Sequence, residues 1–97
     1  MDNDTKMIQE MGEALIDLQV KYRSSSLTDR VNMKPALEEL LADYANLQMR
    51  LIKEGVITTD EDLEEMAEIK QEIEEAAKKE ALLKAIARTI AFIATKV

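Results

Sequence analysis

Ninety-seven residues supply one small domain at most, and a chain of this size buries a thin core. With neither Cys nor His, it excludes a disulfide framework, a thiolate metal site and imidazole acid–base catalysis. Thirteen basic residues against twenty acidic ones, a net charge of −7, oppose direct binding to a nucleic-acid backbone and favour a basic partner.

Two glycines, one proline and abundant Ala, Leu, Glu, Lys and Met favour helix throughout, so the chain reads as a single all-α domain over residues 1–97. The opening Met1-Asp2-Asn3-Asp4 is acidic and lacks the basic-then-apolar profile of a secretory signal, which together with the missing cysteine implies a cytoplasmic location.

The first helix is expected over about 4–23, where Ile8, Met11, Leu15, Leu18 and Tyr22 alternate by three and four residues in one seam. Ser24-Ser25-Ser26 ends that pattern, because short hydroxyl side chains compete for backbone hydrogen bonds. The connection 24–33 can hold a short helix, capped by Ser26 with Asp29 three residues on and carrying Leu27, Val31 and Met33. A second helix is expected over about 34–54, with Pro35 in its first turn. Its stripe is Leu37, Leu40, Tyr44, Leu47 and Leu51, broadened by Leu41 and by Met49 or Ile52. Gly55 reads as a left-handed terminator, with Val56 folded back onto the helix.

Thr58 and Thr59 then offer N-caps for a third helix over about 59–95, unbroken by Pro or Gly and roughly 50 Å long. The short turn sets it antiparallel to the second helix, so Leu63, Met66, Ile69, Ile73 and Ala76 face the other two helices in a three-helix bundle or hairpin. About fifteen residues of this helix would then project beyond the bundle. That end is apolar around most of its circumference, and burying each large side chain there is worth about 1.5–3 kcal/mol. The reading is therefore a homo-oligomer, a dimer first of all, meeting through Leu82, Leu83, Ile86, Ile90, Phe92, Ile93 and Val97.

Chemistry is thinly signalled. Glu64, Glu68 and Glu72 share a helix face at four-residue spacing, where carboxylates could hold a hard cation such as Mg²⁺. The fragment Glu64-Glu65-Met66-Ala67-Glu68 resembles half of the EExxE…ExxD signature of the all-helical MazG-type nucleotide pyrophosphohydrolases, which implies Mg²⁺-dependent hydrolysis. The resemblance covers five residues, and no Asp after Asp62 supplies the second half. An ordinary first-turn acid cluster complementing the helix dipole accounts for the same residues. Lys84 and Arg88 are the positions an electrostatic active site would use. On these grounds no catalytic, cofactor-binding or metal-binding residue is assigned, and the chain is read as no enzyme and as needing no cofactor.

Two further readings draw on charge. Lys84, Arg88 and Lys96 along an apolar helix suit a membrane surface, and they also interrupt the only run that approaches a membrane span. The acid-rich start of the third helix could imitate a nucleic-acid backbone in a basic groove. The preferred expectation is a small adaptor, assembly chaperone or regulatory subunit that binds other proteins.

Overall fold

Asp2 begins the first helix, its carboxylate accepting the Thr5 amide N–H at 2.8 Å. The computed structural model describes residues 2–55 and 57–97, so the expectation for Val56 lies outside the described residues. Helix α1 spans Asn3–Arg23 and buries Met7, Met11, Ala14, Leu15 and Leu18, leaving Ile8 and Tyr22 at the margin of the seam. Gly12 leaves room for the Tyr44 side chain against α1. A Cβ there would stand 3.1 Å from the Tyr44 hydroxyl, which crosses to donate to the Ile8 carbonyl at 3.0 Å.

Ser26 caps α2, which runs unbroken over Leu27–Glu54, its side chain accepting the Asp29 N–H at 3.2 Å. The expected short helix and the expected start near residue 34 are thus one helix, and Pro35 lies inside it. An interior proline costs about 3 kcal/mol, since it forfeits the bond to the carbonyl four residues back and crowds it. Met33, Leu37 and Leu40 lie on one buried seam that continues across the proline, and their burial outweighs that cost. Gly55 ends the helix at φ 82 and ψ −157, a conformation open only to glycine, and its N–H still reaches the Leu51 carbonyl at 3.3 Å.

Thr59 and Asp62 form a capping box at the start of α3, Asp60–Glu75, with reciprocal bonds of 3.1 and 3.0 Å. The single long helix expected over 59–95 does not form. The chain turns at Ala76, φ −68 and ψ 125, and re-enters helix at Lys79, so α4 spans Lys79–Ala94. Among the described residues there are four helices and no strand, which replaces the expected three-helix bundle.

The arrangement follows from contacts at the two poles. Asn3 Nδ2 donates to the Thr58 carbonyl and the Asp60 carboxylate at 3.1 and 3.0 Å, while Lys21 at the far end of α1 meets the last carbonyls of α3. Helices α1 and α3 therefore run parallel and pack closely. Lys79 lies 4.0 Å from Asp29 at the start of α2, and Lys96 bonds Asp62 at the start of α3, so α4 runs antiparallel to α3 and along α2. The α1–α2 hairpin thus stacks on the α3–α4 hairpin. The long axis is 41 Å, the length expected of the 28-residue α2. The shared core is rich in adaptable methionine, with Met7, Met11, Met33 and Met66 buried and Met49 on the surface.

Asp4 is 8 % exposed and accepts amide N–H groups from Ile57 and Thr58, the latter at 2.9 Å, pinning α1 to the α2–α3 connection. Asp4→Ala leaves both donors unpaired, and the expected loss in chemical denaturation is about 2–3 kcal/mol. Pro35→Ala acts the other way. It restores an internal helix bond at an exposed position, and the midpoint should rise by the equivalent of about 2 kcal/mol after the greater freedom of the unfolded chain is counted.

Candidate interaction surface

The fold-back of α4 determines which apolar residues are available to a partner. Leu82, Ile86, Phe92 and Ile93, read from the sequence as an oligomer interface, are at most 3 % exposed within a single chain. Leu83 and Ile90 are half-buried against the core, and Val97 stands 54 % exposed. The apolar end needs no second chain to cover it in this conformation.

Exposed apolar surface lies instead on the outward side of α2. Leu27, Val31, Met49 and Ile52 are between 55 and 81 % exposed, with the exposed small residues Ala42 and Ala45 between them. Val31, Pro35, Glu38, Ala42, Ala45, Met49 and Ile52 succeed one another at alternating four- and three-residue spacing, the pattern of a helix-pairing seam. Helix α2 therefore carries two seams, one in the core and one outside. Met49 and Ile52, expected to broaden the inner stripe, belong to the outer one. At its end a groove of about 320 Å³ opens between Thr5, Ile8, Gln48, Leu51 and Ile52. Two further apolar residues, Ile16 and Val20, are exposed on the outer side of α1.

Charge is segregated by helix. Helix α2 has five acidic and four basic residues, whereas α3 has nine acidic and one basic, so α3 accounts for most of the negative charge. Part of that charge is tied down. Arg88 donates to Glu72 at 2.7 Å and to Glu68 at 3.0 Å, and these bonds raise its already high pKa. On the face that Glu64, Glu68 and Glu72 share, two of the three carboxylates are thus drawn toward a guanidinium, and no group of three carboxylates converges among the described residues. Lys84 stays exposed, while Arg88 and Lys96 point into α3. No described helix is long and apolar enough to cross a membrane. At the opposite pole a notch of about 700 Å³ opens around the α3–α4 bend, between Val20, Ser25, Asp29, Ala77, Lys79 and Glu80.

The outer seam was detectable in the sequence as Val31, Met49 and Ile52 lying off the main stripe, and Gly12 inside a strong helix signals the close approach of Tyr44. No family profile, curated protein or solved structure matches this chain.

Asp62 fastens the end of α4. Burial alone pushes its carboxyl up, but the Lys96 ammonium and the Thr59 amide together outweigh that and hold it below its ordinary 3.8. A lowered folded-state pKa gives stability that is present above the ordinary value and lost as pH falls through the folded one. Lys96→Met should therefore be less stable than the parent at neutral pH, and the difference should vanish as the pH is taken below about 3.8, measured by urea unfolding across an acid series.

Proposed function

We propose that this chain is a non-catalytic protein–protein interaction module whose contact face is the outer seam of α2. The observation that supports it is the exposed run of Leu27, Val31, Met49 and Ile52 on a helix whose five acidic and four basic residues nearly balance, so that a partner meets little repulsion. Ala42 and Ala45 at the middle of the seam let a second helix approach closely. Covering the exposed parts of the four large side chains yields about 4–7 kcal/mol, against an association cost of roughly 4–15 kcal/mol. The contact is then weak and exchangeable unless the partner adds hydrogen bonds, which suits an adaptor or regulatory subunit better than a permanent dimer. The carboxylates of α3 would steer a basic partner toward the bundle without forming the contact.

A surface reading for lipid loses its basis, because the apolar side of α4 packs inward and Arg88 and Lys96 are engaged by carboxylates. Imitation of a nucleic-acid backbone keeps one supporting observation, the exposed Glu61, Glu64 and Glu65 on α3, and predicts a partner lost with added salt.

The triple change Val31→Glu, Met49→Glu and Ile52→Glu separates these readings. All three positions are exposed, so folding stability should stay within about 0.5 kcal/mol per site. A photo-cross-linker placed beside the seam should capture a discrete protein in the native host with the parent chain and none with the triple variant. Identical capture by both would remove the α2 seam as the contact face.

A further inference from the structure

The residues between α3 and α4 are Ala76, Ala77 and Lys78, followed by Lys79, and none of them breaks a helix. Nor does a side chain cap the start of α4, where Lys78 occupies the N-cap position without a side-chain capping bond. Local preference therefore opposes the bend, and tertiary contacts impose it. One of these is specific. Lys21 Nζ donates to the carbonyls of Ile73, Glu74 and Ala76, the last two at 2.6 and 3.0 Å. In an unbroken helix the same three carbonyls accept the amide N–H groups of Ala77, Lys78 and Glu80. A side chain from α1 and the backbone of the rod itself compete for one set of acceptors, so the 76–78 segment has two self-consistent states.

The straight state cannot serve one chain alone. With 3.6 residues per turn, the α3 seam of Met66, Ile69 and Ile73 and the α4 seam of Ile86, Thr89 and Ile93 fall on nearly opposite sides of a single rod about 50 Å long. Once α3 is seated in its core, the α4 seam faces away from it. A second copy that has also straightened offers the matching site: α2 for the seam, Asp29 for Lys79, Glu68 and Glu72 for Arg88, and Asp62 for Lys96. The geometry points to a dimer made by reciprocal exchange of α4 between two copies of this chain, with Ala76–Lys78 as the hinge and Lys21 as the clamp that holds the monomer closed. Every contact of α4 is then remade in trans. The difference between the states reduces to the Lys21 bonds on one side and a continuous helix on the other. This dimer does not use the outer seam of α2 and stands apart from the function proposed above.

The test is refolding from guanidinium over a range of protein concentrations, followed by light scattering. The parent chain should give a dimer fraction that rises with refolding concentration and persists on dilution. Lys21→Met should raise the dimerisation constant by about a hundredfold, because each dimer opens two clamps and each clamp is worth about one charge-assisted hydrogen bond. Ala77→Pro should abolish the dimer, because proline is excluded from a helix interior but suits a position preceded by Ala76 in extended conformation. If Ala77→Pro does not fold, Ala77→Gly should show the same effect more weakly. Linking Glu68→Cys to Arg88→Cys with a short bis-maleimide, in a chain with no native cysteine, should join two chains in the isolated dimer and one chain in the monomer. No dimer from either the parent or Lys21→Met, an intrachain link in the dimer, or undiminished dimer from both Ala77 variants would overturn the exchange. The Val31, Met49 and Ile52 triple variant should dimerise like the parent, which keeps failure of the two proposals distinguishable.

Discussion

Everything in this bundle depends on α4 lying against α2. The apolar side chains of α4 are spread around most of its circumference, and a straight continuation from α3 would leave them in water. Folding back costs the few backbone hydrogen bonds that would have crossed residues 76–78, each worth about 1 kcal/mol net. It recovers the burial of Leu82, Ile86, Phe92 and Ile93 at about 1.5–3 kcal/mol apiece. Burial wins by a wide margin, and Lys21 narrows the cost further by serving the carbonyls that the turn strands.

The same fold-back moves the protein's exposed oil from one helix to another. Once α4 is inside, the chain presents α2 to its surroundings, a helix long enough to span the whole bundle and patterned on two sides. Net negative charge is concentrated in α3, where part of it is consumed in holding Arg88 and Lys96. Packing and charge thus separate onto different faces.

What the sequence disclosed was mainly what is local. Ser26 and Thr59 announce their helices because a hydroxyl with an acid three residues on is a short-range device, and Gly55 announces a stop because its backbone dihedrals exclude other residues. The inner seams of α1 and α3 were legible from spacing. Pro35 misled, since first-turn placement is the usual context for proline and only the continuous seam on the other side of α2 explains its interior position. The α3–α4 bend was invisible. Ala76-Ala77-Lys78 contains no signal, and the group that sustains the turn comes from the last turn of α1. Asp4 is of the same kind, a first-turn acid by its surroundings in sequence and a link between distant segments by its bonds.

The capping network of α3 gathers more than a helix start. Asn3 reaches Asp60 from one side and Lys96 reaches Asp62 from the other, so the two extremities of the polypeptide converge on one pole of the rod, the first of them beside Ile52 and Gly55. Any tag, label or natural appendage spliced onto either extremity must emerge there. It would crowd the last turn of α2 and leave the Ser24–Ser26 corner untouched, which makes that corner the natural place to cut the backbone when the extremities are joined into a circle.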